Sequence, residues 1–273
     1  MIPYLDRLKA RIGRLGPFCV GLDPHPSLLA AWGLPASAAG AERFARSAVE
    51  ALADQTACFK PQSAFFELWG AAGVQALELV IADAQAAGAL VIVDAKRGDI
   101  GSTMAAYADA YLGGGPLSGD AVTVSPYLGV GALAPAFERA EACGRGVYVL
   151  ARTSNPEGGA IQLAAVSGGG TVSQSVVDAA AARNEASGLG AVGLVVGGAR
   201  AGGGTDLSRF SGSLLVPGVG AQGGSMAVLS QLLGPTPAVV LPTVSRAVLE
   251  AGPDPKALRA AAVRFTEEAQ AAL

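Results

Sequence analysis

The chain has 273 residues, 51% of them hydrophobic and 15% charged, with a formal net charge of −3. Such a length can bury a large core in one or two domains, while the lack of any basic run excludes a nucleic-acid or anionic-membrane surface. No stretch approaches the roughly 18 apolar residues of a membrane span, and Met1–Lys9 lacks the apolar core of a signal peptide. A soluble cytoplasmic protein is expected. Cys19, Cys58 and Cys143 are odd in number and widely spaced, which fits a reducing compartment and argues against a zinc site.

In chain order, short apolar runs predict eight buried strands, at 18–22, 56–60, 89–93, 121–124, 147–151, 192–196, 213–217 and 237–241. Helical spacing separates them. It is marked by Phe44, Val49 and Leu52, then by Val74, Leu77, Val80 and Ile81, then by runs over 104–112, 133–142, 172–186 and 226–233. A closing helix starts near Pro255, a residue suited to a first helical position. Residues 152–175 and 197–204 read as long loops. Strands that are apolar on both faces and alternate with helices imply parallel crossovers. Eight such units predict a single-domain (β/α)8 TIM barrel over residues 1–273. The alternative is an open doubly wound sheet, although Gly21-Leu22-Asp23-Pro24 stands where its Gly-x-Gly-x-x-Gly turn belongs.

A barrel builds its site from strand C-termini and the loops after them. The polar residues there are Asp23, Lys60, Asp94 with Lys96, Ser125, Thr153-Ser154-Asn155, Gly218–Gly220 and Ser245-Arg246. Asp94-Ala95-Lys96-Arg97-Gly98-Asp99 is the most informative of these. Side chains alternate along a strand, so Asp94 and Lys96 should point the same way, and a charge cluster at the mouth of an apolar layer is costly unless well paired. The chain has 15 Arg but only four Lys, namely Lys9, Lys60, Lys96 and Lys256. Lysine at two strand ends therefore reads as a chemical requirement, since its proton can be transferred. The glycines of Pro217–Gly224 and Ser245-Arg246 suit an anion site, with backbone N–H groups and a two-point guanidinium grip. Asp23 suits sugar hydroxyls or a turn cap before Pro24, and Thr153-Ser154-Asn155-Pro156 either a planar amide-like ring or a simple turn. His25, the only histidine, reads as a surface loop residue.

The chain resembles the orotidine 5′-phosphate decarboxylases over nearly its full length, closest to the bacterial branch with a Thr-Ser-Asn-Pro segment. The resemblance rests on Gly21-Leu22-Asp23-Pro24, Phe59-Lys60-Pro61-Gln62, Asp94 through Thr103, Ser125-Pro126-Tyr127-Leu128-Gly129, Thr153-Ser154-Asn155-Pro156 and Pro217 through Gly224. It implies a cofactor-free, metal-free homodimer that converts orotidine 5′-phosphate to UMP and carbon dioxide, the last step of de novo pyrimidine synthesis. Lys60, Asp94, Lys96 and Asp99 would form the family's charged array. Asp99, Ile100 and Thr103 would reach into the neighbouring subunit's site. Asp23 would hold ribose, Ser154 the pyrimidine edge, and Gly218, Gly220, Gln222, Ser245 and Arg246 the phosphate end. Loss of carbon dioxide leaves a poorly delocalised carbanion at C6, which needs a fixed positive charge and then a proton, and Lys96 can supply both. Two alternatives stand beside this reading. One is a magnesium-dependent phosphosugar aldolase or decarboxylase, which has Glu where Lys60 stands. The other is a catalytically silent nucleotide-binding barrel.

Overall fold

The computed structural model describes residues 1–197, 205–218 and 226–273. Eight parallel strands close into a barrel in sequence order. They are β1 (Cys19–Leu22), β2 (Cys58–Pro61), β3 (Leu90–Arg97), β4 (Ala121–Val124), β5 (Gly146–Arg152), β6 (Val192–Val196), β7 (Ser213–Pro217) and β8 (Val239–Val244). Closure is made where β8 pairs with β1, through Cys19 with Thr243 and Val20 with Val244, which excludes the open sheet. All eight predicted strands are present. Their apolar runs are continuous because both faces are buried. Cys19, Cys58, Leu90, Ile92, Ala121, Tyr148, Val195, Leu215 and Leu241 fill the interior, while Val20, Phe59, Val91, Val122, Val149, Leu194 and Val216 meet the helices outside.

The helices are α1 (Tyr4–Leu15), α2 (Pro26–Ala31), α3 (Ala38–Leu52), α4 (Ser63–Glu67), α5 (Gly70–Ala86), α6 (Gly101–Leu112), α7 (Ala134–Cys143), α8 (Gly159–Gln162), α9 (Val172–Ser187), α10 (Leu229–Leu233), α11 (Arg246–Leu249) and α12 (Pro255–Ala272). Side-chain caps set several starts. Ser37 accepts from Gly40 N, Thr171 from Gln174 N and Asp254 from Lys256 N.

Three features differ from the sequence reading. Strand β3 runs four residues beyond the predicted 89–93, so Asp94 and Lys96 lie inside it. The 152–175 stretch is not wholly irregular; it holds a 3-10 turn at Pro156–Gly158, then α8, and an antiparallel bridge between Ala165 and Thr171. Helix α1, unforeseen because tertiary packing gives it its role, plugs the N-terminal end of the barrel. The Tyr4 and Tyr148 hydroxyls lie 3.0 Å apart inside it. Gly146 and Gly193 make room for these rings, since a Cβ at either would come within 2.6 Å of a ring carbon. Between β6 and β7 no helix occurs among the described residues, and Leu207 and Phe210 are buried there.

Polar contacts fasten the plug. Arg7 pairs with Asp120 and donates to Gly144 O. The Arg11 guanidinium donates to four carbonyl oxygens, those of Ala53, Thr56, Ala57 and Gly88, which precede β2 and β3. Replacing Arg11 with Met should leave those carbonyls without their charged donor and lower unfolding free energy by about 2–3 kcal/mol. Ligand binding at the opposite end should be unchanged. Urea denaturation alongside a binding titration checks both halves of that expectation.

Candidate active site

At the C-terminal end of the barrel the strands surround a cavity of about 710 Å³, within the range of small-molecule sites. Leu150, Val195 and Leu215 form its apolar base, continuous with the barrel interior. Above them the wall is polar.

Asp94 stands at the centre of the charged side of that wall, on β3, with 8% exposure. Its Oδ2 accepts from Lys60 Nζ at 2.8 Å and its Oδ1 from Lys96 Nζ at 2.6 Å. Burial opposes its charge, but the two ammonium groups and their hydrogen bonds outweigh that and hold the carboxyl well below the usual range. Burial likewise opposes the charge of Lys60, yet the carboxylates of Asp94 and Asp23 override it and raise its pKa above the ordinary lysine value. Both groups are thus held ionised. Lys96 is more exposed, and Gln62 Oε1 lies 3.5 Å from its Nζ.

Asp94 and Lys96 do meet, although not by simple strand alternation. The β3–β4 register shifts between Val93 and Arg97, and Lys96 adopts φ +47°, unique among the described non-glycine residues. Its N–H donates to Thr123 Oγ1 at 2.9 Å, and that hydroxyl donates to Asp94 Oδ1 at 2.8 Å. Neighbouring Arg97 turns outward to Glu67 and the Tyr111 hydroxyl.

Asp23 lines the cavity at the end of β1, and its Oδ1 is buried without a partner among the described residues. An unpaired buried acceptor facing a cavity fits a ligand donor better than the turn-cap reading. Ser154 lines the opposite side with Thr153 and Asn155. That segment is also a true turn, with Thr153 Oγ1 donating to Asn155 Oδ1 and Gln162 bracing Thr153. Gly218, Ser245 and Arg246 close a third side. Among the described residues Ser245 Oγ is buried without a hydrogen-bond partner, and Arg246 is exposed with no ion pair. Gly220 and Gln222 lie outside the described residues.

Asp99, Ile100 and Thr103 do not line the cavity of their own chain. Asp99 Oδ1 accepts from Ile100 N, and Ile100 is 62% exposed. Ser125 is also absent from the lining; its N–H continues the ladder to Arg97 O. Some cavity residues escaped the sequence reading. His25, read as a plain surface residue, caps α2 and stands on the rim with its ring 5.5 Å from that of Phe65. Thr123 and Thr243 sit within strands, where a lone hydroxyl in a valine- or leucine-rich run was the available signal.

Comparison with known proteins is consistent along the whole chain. A sequence model described as the orotidine 5′-phosphate decarboxylase / HUMPS family matches residues 16–261. An orotidine 5′-phosphate decarboxylase of Salinispora arenicola is 56% identical over 269 residues, 98% of this chain and 97% of the relative. One from Streptomyces coelicolor is 51% identical, covering 100% and 99%. A Streptomyces avermitilis crystal structure that carries the same name provisionally superposes with a TM-score of 0.95 at 53% identity, covering 100% and 96%. The structure of Leishmania donovani OMP decarboxylase gives 0.79 at 32% identity, covering 99% of each chain. With a closed barrel, paired lysines about one carboxylate and matches of this extent, the chain belongs to the orotidine 5′-phosphate decarboxylase / HUMPS family.

Proposed function

We propose that this protein decarboxylates orotidine 5′-phosphate to UMP and carbon dioxide in pyrimidine synthesis, with Lys96 as proton donor and no cofactor. The observation that carries the reading is the Lys60–Asp94–Lys96 array at one side of the cavity, in a chain whose named relatives are orotidine 5′-phosphate decarboxylases. The bond from C6 to the carboxylate breaks, its electron pair stays on C6, and carbon dioxide leaves. The Lys96 ammonium stabilises that pair and then gives C6 its proton, which solvent restores to the amine. Lys60, buried and raised in pKa, fixes Asp94. Asp94 fixes Lys96, and it lies beside the departing carboxylate, whose charge is lost in the reaction. Asp23 holds the ribose and Arg246 the phosphate. Binding energy from that distant end can then be used at the reacting carbon.

Lys96→Ala should fold and bind UMP while kcat falls by at least about 10³-fold. A continuous ultraviolet assay with and without EDTA checks this. Retained turnover would remove Lys96 from the chemistry, and turnover abolished by EDTA would favour the magnesium-dependent alternative. Lys60 argues against that alternative, because an ammonium replaces the acid a metal would need.

The pKa shifts carry signs that can be followed. Asp94 is lowered, so its contribution to stability is complete above about pH 5 and fades as pH falls through the lowered value. Lys60 is raised, so its contribution is complete below about pH 10 and fades as pH rises through the raised value. No acid limb from Asp94 should therefore appear in kcat above about pH 5. Asp94→Asn, by taking from the buried Lys60 charge its hydrogen-bonded carboxylate and leaving only Asp23 near it, should cost about 3 kcal/mol at pH 7 by chemical denaturation.

Asp99, Ile100 and Thr103 lie outside their own cavity, so we assign them to a partner's site in a homodimer. Lys96→Ala and Asp99→Ala should each be inactive alone. Mixed and re-equilibrated, they should recover about a quarter of wild-type activity, because half the dimers are mixed and each has one intact site. Mixtures that stay inactive would show that each chain's Asp99 serves its own site.

A further inference from the structure

Thr123 sits inside β4, is 1% exposed, and faces the cavity while Val122 and Val124 face the helical layer. A hydroxyl buried there needs partners, and it finds both on the neighbouring strand. Its Oγ1 accepts the Lys96 N–H at 2.9 Å and donates to Asp94 Oδ1 at 2.8 Å. That same Asp94 oxygen receives Lys96 Nζ at 2.6 Å. One hydroxyl thus ties the main chain of Lys96 to the carboxylate that its own ammonium grips.

The strand register explains why a tie is needed. Val93 pairs with Val122, and the next pair is Arg97 with Val124. Strand β3 therefore sets residues 94–96 against the single residue 123, and the shift takes from Lys96 the main-chain acceptor a regular ladder would give it. Lys96 also holds φ +47°, a left-handed conformation that side chains with a Cβ disfavour. Without an acceptor at its N–H, the bulge has little to keep it in that shape.

We propose that Thr123 is a positioning residue. Its hydroxyl replaces the missing ladder acceptor, holds the β3 bulge, and so aims the Lys96 ammonium at the reacting carbon. The inference rests on the decarboxylase reading and acts entirely through Lys96 and Asp94. Thr123→Val keeps the shape and removes the hydroxyl, whereas Thr123→Ser keeps the hydroxyl. The Val variant should lose about 10- to 100-fold in kcat, the range for a lost hydrogen bond to a charged group, while Ser stays within about threefold of wild type. UMP affinity should change by less than about threefold in both. A UMP analogue with an anionic oxygen on C6 should weaken in the Val variant by the same factor as kcat/KM, because its charge sits where the ammonium must be aimed.

The proposal is overturned if Val keeps kcat within about twofold, or if UMP and the anionic analogue weaken together, as a plain packing defect would produce. Should Val fail to fold, Thr123→Ala against Thr123→Ser makes the same comparison. An unmodified protein inactive on orotidine 5′-phosphate would sink the functional reading instead. The ratio of analogue to UMP affinity tests Thr123 without any turnover.

Discussion

A carboxylate inside a barrel loses most of its hydration, and at Asp94 that loss is offset by two ammonium groups and a hydroxyl. Much of the surrounding architecture follows from this one requirement. Gln62 is the residue level with Asp94 on β3, so Lys60, two residues earlier on β2, reaches the carboxylate along the barrel with its long side chain. Lys96 must come back toward Asp94 from two residues on, and the register shift in β3 with its left-handed residue achieves that. The array carries two positive charges and one negative. Its surplus positive charge sits on the more exposed lysine, where a substrate anion can meet it.

The two ends of the barrel carry different burdens. At the N-terminal end α1, the Tyr4–Tyr148 pair and the arginine-to-carbonyl contacts close the core. At the C-terminal end, buried polar atoms of Asp23, Thr243 and Ser245 face the cavity without partners among the described residues. Such atoms lower stability where they stand. A barrel can bear them because its packing is completed elsewhere, as the apolar layers of the strands show.

The strands were legible because burial on both faces writes continuous apolar runs, and the Asp-x-Lys pair because charges at the end of such a run are costly. Less legible were features that exist only between strands. Thr123 in Ala121–Val124 reads as one more β-branched strand residue until its register opposite the bulge is known. Alternation gave the right neighbours for Asp94 and Lys96 for an incomplete reason, since a bulge with positive φ leaves no mark in residue types. His25 looked like a surface loop because its loop is exposed; only the fold brings Phe65 beside it and the cavity beneath both. The sparing use of lysine proved informative. Two of the four stand in the cavity, while Lys9 and Lys256 lie on α1 and α12.

The tyrosine pair beneath the cavity has a consequence for traffic. With α1 and that pair filling the N-terminal end, the cavity among the described residues opens at the C-terminal end, so arrival and departure share that side. His25, Phe65 and Arg246 stand along that threshold, and they greet the incoming ligand and the outgoing one alike. Bulk added there would slow both directions of passage together, leaving the balance between them far less altered than the pace.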